Sequence, residues 1–264
     1  MNRHTLRSLQ AMKGAGEKIA ALTCYDASFA RVLDGAGVDV ALVGDSLGMV
    51  VQGRDSTLAV TLEDMAYHTA CVARGLTRAL LVADLPFASY QVSPRQAYRS
   101  AARLMAAGAH MVKLEGGAVM ADTVAFLVQR GIPVCAHLGL LPQSVHQLGG
   151  YRVQGCDEAG ARQLLEDARM LQEAGAGLIV LEAMPAVLAA EISRALTIPT
   201  LGIGAGPGCD GQVLVLYDAL GLYAQPPRFA KNFLAQGGDL HVAVAEYVRQ
   251  VKAGEFPDAS HTLA

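Results

Sequence analysis

The chain has 264 residues, of which 52% are hydrophobic and 17% charged, against roughly 25% charged in an ordinary globular protein. So apolar a sequence buries a large core, which excludes a disordered chain, and a net charge of −3 excludes the basic field that nucleic acid or polyphosphate needs. Tryptophan is absent and aromatic residues make up 5%, which argues against a base-stacking surface.

In chain order, residues 1–18 carry positive charge but no apolar stretch of the signal-peptide kind. Short apolar runs then alternate with helical patterns. The expected strands are 19–24, 38–43, 79–83, 110–114, 132–136, 177–181, 199–203 and, less sharply, 212–216. Near-continuous apolar runs mean burial on both faces, as in a parallel sheet covered by helices. Between them stand helix starts. Thr61 with Asp64 forms a capping box with Asp for the usual Glu, Ser93-Pro94 sets an N-cap and first turn, and that helix ends near Gly108. Asp157 caps a helix ending before Gly175, Met184-Pro185 opens another, and 239–253 is a terminal amphipathic helix. Eight strands alternating with helices over a length near the ~250 residues of one barrel predict a single (β/α)8 domain spanning 1–264. No run of about 20 residues is wholly apolar; 175–192 comes nearest and contains Glu182 and Glu191. The five cysteines never fall at C-x-x-C spacing, so neither a disulfide framework nor a zinc site is expected. A cytoplasmic protein with no membrane and no nucleic-acid partner is the expectation.

The chemistry stands at the strand ends. VALVGDS supplies Asp45 and Ser46, LLVADLP Asp84, MVKLEGG Lys113 and Glu115, VCAHLG His137, and LIVLEAMP Glu182. In a barrel these ends converge on one mouth, where active sites are built. Singly, each has a plain explanation: an Asp after a strand caps a helix or a turn, Lys113 and Glu115 form a same-face ion pair, and His137 is structural. Jointly, ionisable groups interrupting buried strands are costly without partners. Asp45, Asp84 and Glu115 make a hard-oxygen set suited to Mg²⁺. Glu182, between Leu181 and Ala183-Met184, suits a general base in an apolar pocket; a buried Glu paired with Arg or Lys fits the same residues. The glycines of 202–206 fit either a phosphate cradle or a strand-to-loop turn. The glycine- and polar-rich 45–61 segment resembles a mobile lid, and 138–156 is a long, patternless stretch of the kind that is functional or mobile.

Six motifs in order, GDSLGMVVQGRDSTLAVTLEDMAYHT (44–69), ADLPF (83–87), VKLEGG (112–117), PVCAHLGLLPQS (133–144), GGYRVQG (149–155) and GIGAG (202–206), strongly resemble the ketopantoate hydroxymethyltransferase family. The resemblance runs from about Leu6 to about Pro257. It implies a (β/α)8 TIM barrel of the phosphoenolpyruvate/pyruvate-like superfamily. It also implies Mg²⁺, and transfer of a one-carbon unit from 5,10-methylenetetrahydrofolate to 3-methyl-2-oxobutanoate. Residue by residue, it implies Asp45, Asp84 and Glu115 at the metal, with Asp45 and Asp84 also against the substrate. Ser46 and Lys113 fall at the substrate and Glu182 at the proton acceptor; His137 is expected in the substrate pocket. A homo-oligomer, typically a decamer, is implied as well. Departures are peripheral: Cys156 where relatives often carry a charge, and a proline-rich 225–228 loop. A lyase or mutase of the same superfamily and a catalytically silent barrel are the competing expectations.

Overall fold

The computed structural model describes residues 3–236 and 238–263. Eight strands, β1 (Ile19–Thr23), β2 (Val40–Val43), β3 (Leu80–Asp84), β4 (Met111–Glu115), β5 (Val134–Gly139), β6 (Leu178–Glu182), β7 (Thr200–Ile203) and β8 (Gly211–Leu214), pair in sequence order. All pairings are parallel, and β8 returns to β1 to close the barrel. The expected strands are each met, with bounds shifted by at most three residues. The shift has a direction at the chemically important ends. Asp84, Glu115, His137 and Glu182 are strand residues rather than the first residues of loops, because their backbone groups continue the ladder whatever their side chains carry.

The helices are α1 (Leu6–Ala15), α2 (Ala27–Ala36), α3 (Leu47–Val50), α4 (Leu62–Ala73), α5 (Pro94–Ala106), α6 (Ala121–Val128), α7 (Glu158–Glu173), α8 (Ala186–Ala195), α9 (Leu216–Ala219) and α10 (Leu240–Ala253). The expected caps hold. Thr61 Oγ1 accepts from the Asp64 N–H and Asp64 Oδ2 from the Thr61 N–H, at 3.1 and 3.0 Å, so Asp serves where Glu is usual. Ser93 Oγ accepts from the Gln96 N–H at 3.2 Å ahead of Pro94, and Asp157 Oδ1 from the Gly160 N–H at 2.7 Å. Helix α1 lies outside the β/α alternation and was not legible in its pattern. It sits under the barrel: Lys13 Nζ donates to Ser193 O, Ile198 O and Asp210 Oδ2 at 2.8–3.0 Å, joining it to α8 and to the segments preceding β7 and β8.

The seam between the last strand and the first is held from outside by α10. Buried Tyr247 donates its hydroxyl between Ala21 O on β1 (2.7 Å) and Gln212 O on β8 (3.0 Å), while its ring stands edge-on to Phe233 and Phe256. Tyr247→Phe should therefore lower unfolding stability by about 1–2 kcal/mol, read as a lower urea midpoint with unchanged slope. An unmoved midpoint would show that the hydroxyl does not help close the barrel.

Candidate active site

Side chains alternate across a strand with period two, and paired residues of parallel neighbours share a face. Asp84 pairs with Lys113, Glu115 with His137, and Glu182 with Gly139. Lys113 and Glu115 are two apart, as are His137 and Gly139. One inner face, at one end of the barrel, thereby collects Asp84, Lys113, Glu115, His137 and Glu182. Asp45 and Ser46 join them from the β2 end. All seven predicted residues line a single cavity of about 640 Å³, within the ~300–1,000 Å³ of small-molecule sites.

Five of these side chains are almost wholly removed from water: Asp45, Asp84, Lys113, Glu115 and His137 are each 5% exposed or less. Lys113 Nζ stands 2.6 Å from Asp84 Oδ1, and Asp84 Oδ2 accepts from the Asp45 N–H at 3.0 Å. Burial alone would lower the lysine, but the surrounding carboxylates Asp84, Glu115 and Asp45 outweigh it and hold the ammonium charged. Asp45 is pushed up to about 8, first by burial and then by its acidic neighbours Asp84 and Glu115. His137 lies between two acids, Nδ1 3.4 Å from Glu115 Oε1 and Nε2 3.1 Å from Glu182 Oε2. Burial and Lys113 pull its pKa down; Glu115 and Glu182 together raise it. Glu115 is held low despite its burial, by His137, Lys113 and the Gln143 N–H. Glu182 is partly exposed in the cavity, and its ionic partner is this histidine rather than an Arg or Lys.

The backbone at the mouth is shaped for close approach. Gly139 at φ 94° has no room for a Cβ, which would lie 2.0 Å from Glu182 O. Ala183, directly after Glu182, takes the left-handed φ of 45°, a conformation costly for a non-glycine residue. Its N–H donates to Ile203 O and its carbonyl accepts from the Gln154 N–H, both at 2.9 Å. That turn ends β6 immediately after the glutamate.

Two contributors escaped the sequence reading. Buried Gln143, from the 138–156 loop, donates its amide to Asp45 Oδ2 and Leu85 O, both at 2.9 Å, and its backbone N–H to Glu115 Oε2 at 3.0 Å. Tyr90 donates to Gln143 Oε1 at 2.7 Å and accepts from the Glu115 N–H at 3.1 Å. The loop's length was the only signal for Gln143; nothing marked Tyr90. Ser46 Oγ meets the Tyr25 hydroxyl at 2.9 Å. The segment expected as a mobile lid lines the cavity through Asp45, Ser46, Met49, Val50, Arg54 and Thr57. Thr57 and Val60 are buried, the Arg54 side chain donates to Ala59 O at 2.6 Å and its N–H to Gly48 O at 2.8 Å. The 202–206 glycines answer to packing: a Cβ at Gly204 would meet Phe229, and one at Gly206 would meet Ala186.

Among the described residues no three His, Cys, Asp or Glu side chains form a ready cage for an ion. The expected set of Asp45, Asp84 and Glu115 is thus not preformed: Glu115 is turned to His137 and Gln143. The residues nonetheless suit a cation that keeps most of its shell as water and substrate. Among the described residues the Lys113 ammonium, 2.6 Å away, is the one partner of the buried Asp84 Oδ1. The shared negative charge that raises Asp45 is a charge a divalent ion neutralises. Mg²⁺ binds through one or two carboxylates in this manner.

A (β/α)8 barrel whose C-terminal mouth buries a lysine, a histidine and a set of carboxylates is built as an enzyme. The ketopantoate hydroxymethyltransferase family model matches residues 3–259, and the chain belongs to that family. A 3-methyl-2-oxobutanoate hydroxymethyltransferase of Thiobacillus denitrificans is 69% identical over 98% of this chain and 99% of its own length. Among solved structures, a phosphonopyruvate hydrolase in complex with oxalate and Mg²⁺ aligns at TM-score 0.64 and 13% identity, covering 99% of this chain and 93% of that one. A 2,3-dimethylmalate lyase of the PEP mutase/isocitrate lyase superfamily aligns at 0.61 and 18% identity, covering 95% and 98%. These two share the barrel fold; the family match sets aside the lyase, mutase and silent-barrel expectations.

Gln143→Leu removes three side-chain hydrogen bonds from buried partners and should cost about 1–3 kcal/mol of stability. The double variant with Tyr90→Phe should lose less than the sum of the single losses, measured by chemical denaturation. Strict additivity would refute a shared network.

Proposed function

We propose that this chain transfers a hydroxymethyl group from 5,10-methylenetetrahydrofolate to 3-methyl-2-oxobutanoate, giving 2-dehydropantoate for pantothenate synthesis. The observation that carries the proposal is the common inner face of Asp84, Lys113 and Glu182, a charged pair and a separate carboxylate opening on one cavity. The whole-length 69% identity to the Thiobacillus denitrificans transferase supports the choice of substrate.

The proton to be removed sits on C3 of the acid, beside the 2-oxo group, and is too weakly acidic for an unaided carboxylate. In this reading Asp45 and Asp84 would hold Mg²⁺, with Glu115 contributing either directly or through water. When bound, the ion supplies a divalent charge next to the oxygen on which negative charge develops. Lys113, held charged by its acidic neighbours, adds a second positive charge against the substrate carboxylate. Ser46 hydrogen-bonds that carboxylate, with Tyr25 orienting the hydroxyl. Glu182 takes the C3 proton onto its carboxylate, and His137 steadies it from 3.1 Å. The substrate's C3 would then bond to the methylene carbon as one of that carbon's two bonds to folate nitrogen breaks, the freed nitrogen taking the proton held by Glu182. Water supplies the hydroxyl as the second carbon–nitrogen bond breaks, its other proton going to that nitrogen, which releases tetrahydrofolate and product. Gln143 positions Asp45 and Glu115 and does not itself react.

The same reading makes the chain a cytoplasmic homo-oligomer, a decamer as the family resemblance implies. No described helix is long and apolar enough to cross a membrane, and sedimentation of the purified chain tests the assembly.

Glu182→Gln should abolish deuterium exchange at substrate C3 while Mg²⁺-dependent binding of 3-methyl-2-oxobutanoate stays within about twofold of wild type. Exchange at the wild-type rate would remove Glu182 from the role of base. Asp84→Ala should weaken metal-dependent binding of the acid by about 10- to 100-fold, and EDTA should do the same to the wild type. If the variant lost only thermal stability, Asp84 would be structural.

A further inference from the structure

The cavity is far larger than a five-carbon acid, and its two sides differ. The charged groups stand on β3–β6. Across the barrel, past β8 and β1, the wall is formed by Val213, Val215, Tyr223, Phe229 and Leu263, and within it stands one acid, Asp218 on α9. Helix α9 is tied to the barrel by the Leu216 N–H, which donates to Thr23 Oγ1 at 2.8 Å. Asp218 is 8% exposed, and among the described residues no hydrogen-bond donor reaches its carboxylate. Burial pushes it up to about 6, with no charged partner offsetting the cost. A lone acid in an apolar wall is expensive to keep, and it is turned into the very space that the acid substrate leaves free. At the rim, exposed Arg54, Arg152 and Arg228 line the same cavity, and none is in an ion pair among the described residues.

A carboxylate inside an apolar pocket recognises a flat ring edge bearing two adjacent N–H donors. Arginines at the mouth suit a carboxylate-bearing tail. We propose that Asp218 determines co-substrate specificity, its carboxylate accepting from the ring N3–H and the 2-amino group of the tetrahydrofolate 2-amino-4-oxopyrimidine ring, with the glutamyl tail leading out between Arg54, Arg152 and Arg228. This orientation rests on the folate reading above. It puts the fused ring against Tyr223 and Phe229 and brings the one-carbon unit toward the Glu182 side.

Steady-state kinetics at saturating 3-methyl-2-oxobutanoate test it. Asp218→Asn is expected to raise KM for 5,10-methylenetetrahydrofolate by about tenfold or more, with a smaller change in kcat. A 2-desamino analogue, used about tenfold less well than the natural donor by the wild type, should be discriminated by less than about twofold in the variant. That loss of discrimination is a readout that a merely structural aspartate would not move. A thermal melt reports folding, and Asp218→Ser serves if the amide unfolds the chain. Unchanged KM, or a raised KM with discrimination intact, overturns the role of Asp218 while the transferase reading stands. A wild-type chain that exchanges the C3 proton but ignores the folate overturns the donor assignment and this inference together.

Discussion

The buried pair of Lys113 and Asp84 constrains the rest of the barrel mouth. Each charge costs several kcal/mol to take out of water, and removing one partner of such a pair costs about 3–5 kcal/mol. The pair survives because the β3–β4 register sets the two side chains opposite one another on the inner face. A slip of one residue would turn Asp84 toward the helices and strand the ammonium. Register, which the hydrophobic pattern alone specifies weakly when both faces of a strand are apolar, is here enforced by electrostatics.

From that pair the remaining groups follow in sequence around the barrel. Within β4, Lys113 and Glu115 share the inner face because they stand two apart, and from strand to strand the register pairs Asp84–Lys113, Glu115–His137 and Gly139–Glu182 carry that face onward. The cluster carries more acid than base, and burial together with the acidic neighbours Asp84 and Glu115 raises Asp45. The cluster thereby has the charge balance that the proposed cation would complete. It is stabilised against its own repulsion by neutral donors, chiefly Gln143, which costs no additional charge.

The cavity divides into a charged side and an apolar side, the division that the two proposed ligands of different character would need. A small acid needs cations and fixed donors. A large heterocyclic donor needs flat apolar walls, one anchoring group and a way out for its tail. The left-handed turn at Ala183 and the closely packed Gly139 shape the backbone beside Glu182, where the proposed function needs the two ligands to meet.

The fold class and most of the site were legible in the residue order. Continuous apolar runs at a steady spacing, caps such as Thr61–Asp64 and Ser93-Pro94, and ionisable groups ending five strands are local signals, and burial on both faces permits little else. The ends of β3, β4 and β6 were read one residue short and that of β5 three, because a charged side chain looks like a loop residue while its backbone still pairs. What the order of residues does not contain is contact across the chain. Gln143 is ordinary in sequence and becomes central only where Asp45, 98 positions away, comes within 2.9 Å. Tyr90 and His137 acquire their partners in the same way. The 45–61 segment has the composition of a lid, and only the folded chain shows that Thr57 and Val60 within it are buried, just as Asp218 is one acid among many until closure of β8 on β1 buries it. Composition and periodicity report what each residue prefers; which groups share one cavity is decided by register and closure, and these exist only in three dimensions.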